Sequence, residues 1–140
     1  ERFKPTGIID LATLTGAIIV ALGHENAGVF SNDDEFCDSF LKVANHENEG
    51  AWRMPLGPSY DKKLKSRLAD MKNVGGRDGG AITAAQFIQR FIKKDMPWIH
   101  IDIAGAAHTK SESTFAPAGA TGWGVMSLNR LVSEKYENNK

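Results

Sequence analysis

GIIDLATLTGA, residues 7–17, decides the fold. Gly7-Ile8-Ile9-Asp10-Leu11 is short, apolar and rich in β-branched side chains, broken by one acid, which is the composition of a buried strand. Thr13 and Thr15 then set two hydroxyls beside Gly16, where that strand ends. Ala17-Ile18-Ile19-Val20-Ala21-Leu22 is apolar on every side, which predicts a buried helix over 13–22, stopped at Gly23. In an α/β protein a ligand sits where a strand's C-terminal end turns through small residues into a buried segment. Residues 13–16 are therefore the first candidate site.

Working outward, residues 27–31 read as a second short strand. Asn32 and Glu35 stand in capping-box spacing and predict a helix whose inner face carries Phe36, Phe40, Leu41 and Ala44. Residues 52–56 are extended, and Pro55 limits them to an edge or connecting strand. Ser59 can cap a helix in which Tyr60, Leu64 and Leu68 recur, with Lys62, Lys63, Lys65 and Arg67 on its wet face. The glycine-rich run 70–80 is a loop, and 81–93 a helix with Ala84, Ala85, Ile88, Phe91 and Ile92 inward. Residues 98–104 suit a central strand, and 105–120 form a loop of small and polar residues. A last helix after Gly124 turns Val125, Leu128, Leu131 and Val132 inward, and 134–140 fray. Strands interleaved with helices make the chain α/β, with no linker long enough to divide it.

The bulk numbers exclude several classes. Seventeen basic and seventeen acidic residues give a formal net charge of zero, which argues against nucleic acid or an anionic membrane as a main partner. No apolar run reaches the roughly 18 residues of a membrane span, and Glu1-Arg2-Phe3-Lys4-Pro5 lacks a signal core. The single cysteine, Cys37, excludes an internal disulfide and fits a reducing, cytoplasmic setting.

Asp10 and Asp102 are the acids most open to a role, each inside an apolar run and followed by small residues. They could ligate a metal or act as a base; the simpler reading is that they hold strand ends through loop amides. His100 and Asp102 alternate on one strand and share a face, but a metal site needs at least three ligands, and no third is at hand. His24, His46 and His108 lie scattered in loops, and Cys37 sits beside Phe36 and Phe40 as a buried thiol. Residues 73–80 could cradle an anion at the following helix, yet lack the Gly-Lys-Ser/Thr ending of a phosphate loop; a substrate-facing loop is the simpler reading. Ser111, Ser113 and Thr114 have no His-Asp partner and read as solvated loop. The residues alone thus give a ligand-binding α/β domain without an identifiable reaction.

Seven blocks taken together carry more. IIDLATLTGA (8–17), ALGHENAGVFSND (21–33), WRMPL (52–56), LADMKNVGG (68–76), GAITAAQF (80–87), WIHIDIAGAA (98–107) and GATGWGV (119–125) occur in this order. In these blocks the chain resembles the C-terminal part of the leucyl (cytosol) aminopeptidases, almost end to end. The resemblance implies a mixed sheet sandwiched between helices, with the whole of 1–140 as the C-terminal portion of a catalytic domain. It implies release of N-terminal amino acids, leucine preferred, from peptides, by an enzyme that assembles as a homohexamer. Two divalent metal ions, manganese or zinc (or magnesium), would activate a bridging water, and an arginine with bicarbonate would assist.

The family's metal ligands and catalytic pair lie in segments upstream of the matched region, so no catalytic or metal-binding residue is expected within 1–140. What the resemblance transfers is the substrate pocket. Thr13, Leu14, Thr15 and Gly16 match the wall for the first side chain, with the Leu14 carbonyl and Gly16 amide on the peptide main chain and Asp10 as a structural acid behind them. Ala104 and Ala107 match the opposite wall, Ala107 leaving room where some members carry methionine. Val74 matches the contact to the second substrate residue. The missing N-terminal portion would be the chain's partner, and without it the sheet edge at 7–12 would lie open and favour aggregation. The alternatives are a catalytically silent fragment serving assembly or regulation, and an independent metal hydrolase built on Asp10, His100 and Asp102.

Overall fold

The computed structural model describes residues 2–112 and 117–137. Its centre is a four-stranded mixed sheet: β1 (Ile8–Ala12), β2 (Ala27–Ser31), β3 (Ala51–Arg53) and β4 (Trp98–Asp102), in the order β1-β4-β2-β3. The helices are α1 (Gly16–Leu22), α2 (Asp34–His46), α3 (Pro58–Asp61), α4 (Gly80–Gln89) and α5 (Val125–Val132). β4 runs parallel to β1, with Ala12 opposite Asp102, and antiparallel to β2. The C-terminal ends of β1 and β4 therefore open on the same edge, and the segments leaving them, 13–16 and 103–107, lie side by side. β1 has no second strand neighbour among the described residues.

Every residue of β4 is buried, so its two-residue period gives it two distinct faces. Ile99 and Ile101 join Val29, Cys37, Phe40 and Leu131 in the core beneath α2 and α5. Trp98, His100 and Asp102 take the other side, where His100 is stacked between Phe30 and Trp98 at centroid distances of 5.8 and 6.2 Å. That side is covered by α1 and α4 through Ile18, Ala81, Ile82 and Ala85. Each fully buried large aliphatic or aromatic side chain contributes about 1.5–3 kcal/mol.

Several expected boundaries moved for local reasons. α1 begins at Gly16, because the Thr15 hydroxyl accepts from the Ile18 amide (3.1 Å) and caps it. Of the apolar run that follows, only Ile18 is buried, and Val20 is 90% exposed, so this helix is not enclosed on every side. Asp33, and not Asn32, caps α2, accepting from the Phe36 amide at 2.8 Å. Asn32 is drawn off to the sheet, where it donates to the Met96 carbonyl and accepts from the Trp98 amide. The inner face of α2 is Cys37, Phe40, Val43 and Ala44, with Phe36 and Leu41 half-buried.

The helix expected from Ser59 is short: Gly57 precedes α3, a 3-10 turn follows at Lys62–Leu64, and Lys65 is extended. Leu64 is buried and Leu68 is 85% exposed. α4 ends at Gln89 and turns Ala81, Ile82, Ala85 and Gln86 inward, leaving Phe91 exposed against Phe87 (5.3 Å). Arg90 donates to both carboxylate oxygens of Asp61 and holds that carboxyl below its usual range, tying α3 to α4. The supposed loop 105–120 contains a short antiparallel pair, β5 (His108–Thr109) and β6 (Gly119–Ala120). Residues 133–137 continue α5 as a π-helical turn.

Glu49, unremarked in the sequence, anchors α5. Its buried carboxylate accepts from the Gly124 and Ser127 amides (2.9 Å each) and from the Ser127 hydroxyl, at the positive end of the helix. Ser127 and Leu131 consequently face inward, while Val125 and Val132 are exposed. Glu49→Gln, which presents an amide to donors, should lower stability by about 2 kcal/mol, read as a shifted urea midpoint at unchanged m.

Candidate substrate-binding edge

The candidate edge is built around one carboxylate. Asp102, the last residue of β4, is fully buried. Its Oδ1 accepts from the amides of Leu14 (3.1 Å), Thr15 (3.4 Å) and Ala104 (3.2 Å). Its Oδ2 accepts from the Thr15 hydroxyl at 2.6 Å. Thr15 and Ala104 thus reach the same acid from different strands, beside a direct bond from the Ile103 amide to the Ala12 carbonyl (2.9 Å).

Asp10 is not the acid behind residues 13–16; Asp102 is. Asp10 lies further back on β1, where one oxygen accepts from Trp98 Nε1 (2.7 Å) and the other lies 2.5 Å from His100 Nδ1. The period of two that puts His100 and Asp102 on one face gives them different partners. Among the described residues no group of three or more His, Cys, Asp or Glu could hold a metal ion. A pair of divalent metals does not fit the described residues.

Beside this edge lies a cavity of about 1000 Å³ between α1, α4 and the loop 73–80. Leu14, Thr15 and Val74 line it together with Val20, Phe87 and Arg77; Thr13, Gly16, Ala104 and Ala107 are not in its lining. Gly75 is pressed against α4, since a Cβ there would sit 2.7 Å from Thr83 Cβ. Residues 73–80 therefore form a wall of the cavity. Thr13 and Gly16 are exposed, as is Val74; Ala104 and Ala107 are half-buried. Ala107 is held by its amide to the Ile103 carbonyl (2.9 Å), and its carbonyl accepts from Thr121 (3.1 Å). Sequence reasoning missed the exposed side of α1 as a cavity wall, because a run apolar at every position from Ala17 to Leu22 carries no sign of which side is left open.

The remaining candidates lie elsewhere. His24 Nδ1 is 2.7 Å from the Gly105 carbonyl, a structural contact. Ser111 closes a local turn with Thr109, and Ser113 and Thr114 fall outside the described residues. Cys37 is buried, and burial pushes its thiol above the ordinary 9.0, with Arg53 opposing. A raised folded-state pKa means stability is fully present below the unfolded value and falls as pH rises through it. Alkylation of Cys37 at neutral pH should accordingly follow global unfolding, and stability should decline above about pH 9.

No described helix is long and apolar enough to cross a membrane. Residues 1–129 match the catalytic domain of the cytosol aminopeptidase family. The chain is 66% identical over 137 residues to a probable cytosol aminopeptidase of Cereibacter sphaeroides, covering 98% of this chain and 28% of that protein. It is 65% identical, with the same coverage, to a probable cytosol aminopeptidase of Dinoroseobacter shibae. Among solved structures, a mutant tomato leucine aminopeptidase aligns with a TM-score of 0.88 and 41% identity, over 95% of this chain and 25% of that one. The bottromycin maturation enzyme BotP in complex with Mn aligns with a TM-score of 0.87 and 33% identity, over 92% and 29%. The chain spans under a third of the length of these relatives. Over that span, in sequence and in the arrangement of its sheet and helices, it belongs to the cytosol aminopeptidase family.

Proposed function

We propose that this chain supplies the substrate-pocket walls and scaffold of a metal-dependent aminopeptidase that releases N-terminal residues, leucine preferred, from peptides. The observation that carries the reading is the shared carboxylate of Asp102, which joins Leu14 and Ala104 at the ends of two parallel strands beside a cavity lined by Leu14, Thr15 and Val74. In this reading the Leu14 carbonyl accepts from the peptide main chain and the Gly16 amide donates to it. Residues 13–16 face the first side chain from one wall, Ala104 and Ala107 from the other, and Val74 contacts the second residue. Fixing the peptide in one orientation is a real part of rate enhancement.

The two manganese or zinc ions, the bicarbonate and the catalytic pair of the complete enzyme belong, on this proposal, to residues outside 1–140. When bound, such metals supply a nucleophilic water and polarise the scissile carbonyl. On this proposal the setting is the cytosol, a reading that the relatives' names support, and the assembly a homohexamer. The chain by itself is catalytically silent.

The test is complementation. Residues 1–140, joined or mixed with the N-terminal portion of the Cereibacter sphaeroides relative and manganese, should hydrolyse leucinamide, while neither part alone does. No activity from a well-folded mixture overturns the proposal and leaves the assembly or regulatory reading.

A further inference from the structure

We infer that Asp102 is a positioning residue that staples the two pocket walls together and thereby sets selectivity for the first side chain. The inference rests on the proposed reading of 13–16 and Ala104 as opposing walls. The staple itself stands on hydrogen bonds alone.

Asp102 forms no ion pair among the described residues, and its hydrogen-bond partners there are loop groups. Three amides share Oδ1 at 3.1–3.4 Å, two from the segment after β1 and one from the segment after β4. Opposite Asp102 across the parallel pair is Ala12, so both segments leave the sheet within reach of one side chain. The carboxylate also sets a proton direction. The Thr15 hydroxyl donates to Oδ2 (2.6 Å), which leaves the hydroxyl's lone pairs to the Ile18 amide. That bond caps α1, whose Ala17, Val20 and Ala21 line the cavity. One buried group thereby fixes the Leu14 wall, the Ala104 wall and the first turn of the cavity helix.

Asp102→Asn keeps the size but replaces an acceptor by a donor. Its amide nitrogen, placed at Oδ2, donates to Thr15 Oγ1, whose proton then contends with the Ile18 amide. An oxygen placed there instead puts the nitrogen against three amide donors. The first orientation keeps the three amides on the oxygen and loosens the cap of α1; the second parts the Leu14 wall from the Ala104 wall; either one displaces a side of the pocket.

A purely structural acid would alter the amount of folded enzyme, and every substrate would suffer alike. A positioning acid alters the ratio between substrates measured on one preparation. In the polypeptide completed with the Cereibacter sphaeroides N-terminal portion, D102N should reduce the kcat/KM ratio of leucinamide to alaninamide about tenfold, the scale at which apolar pockets discriminate. Glu49→Gln, which loosens α5 away from the edge, should leave that ratio unchanged. A ratio within twofold of the parent in D102N, with stability alone reduced, overturns the inference.

A second measurement covers a D102N that does not fold. In the unaltered 140-residue chain, Leu14 and Ala104 amides should exchange with solvent at one common opening rate, at least tenfold slower than the exposed Thr13 amide. Independent rates for Leu14 and Ala104 overturn the staple. If the unaltered completed polypeptide hydrolyses neither amide, the aminopeptidase reading fails, and the exchange data still decide the staple.

Discussion

Asp10→Ala should cost the fold about 3 kcal/mol, because removing one partner of a buried polar pair strands the others. Trp98 Nε1 and His100 Nδ1 both point at Asp10, and both residues are fully buried. Among the described residues His100 Nε2 already lacks a partner, so the ring cannot recover the loss by changing tautomer. Asp10→Asn, which retains one acceptor oxygen, should recover about half. The readout is the urea midpoint, with m unchanged if the denatured state is unaffected. A metal-binding or general-base Asp10 would behave in the opposite way, its alanine variant keeping full stability.

Gly105→Ala should be comparably damaging, at about 3 kcal/mol, the upper end of overpacking costs. An added Cβ would lie 2.1 Å from the Gly23 carbonyl oxygen. Both groups are backbone, so no rotamer change relieves the contact. The segment after β4 must move off the C-terminal end of α1, and the 2.7 Å contact of His24 with the Gly105 carbonyl goes with it. Gly16→Ala is the control. Nothing lies within 4 Å of its Cβ position, its φ is ordinary, and stability should rise by about 0.5 kcal/mol. Thermal melts of the two variants should therefore shift in opposite directions.

How far the sequence could be read follows from which interactions are local. β1 and β4 were legible because short runs dominated by β-branched and large apolar side chains have few other fates in a short domain, and β2 because Val29 and Phe30 form a short apolar run between the turn residues before Ala27 and the helix cap after Ser31. α2 was legible from its periodicity, but its cap was not: Asn32 has the right chemistry and spacing, and only the distant Met96 and Trp98 backbone groups turn it away. Leu68 fits the helical repeat of Leu64, and the turn that brings the Lys72 amide to the Leu64 carbonyl removes it.

The same distinction governs the edge. Residues 13–16 stood out as a strand-to-helix turn, whereas assigning the acid behind them required the register of β1 on β4. Asp10 is nearer in sequence; Asp102 is nearer in space. Glu49 was invisible because its partners, Gly124 and Ser127, lie 75 and 78 residues away. The all-apolar α1 sequence implied full burial, and its open side borders the cavity instead.

The most direct measurement is calorimetric titration of manganese or zinc into residues 1–140 alone and into the same chain joined with the N-terminal portion of a relative. On the proposed reading residues 1–140 provide pocket walls while the metal ligands lie elsewhere, so the isolated chain should bind no better than an unrelated protein, and stoichiometric heat should appear only in the completed polypeptide. Stoichiometric micromolar binding by the isolated chain would contradict this division of labour and return Asp10, His100 and Asp102 to candidacy.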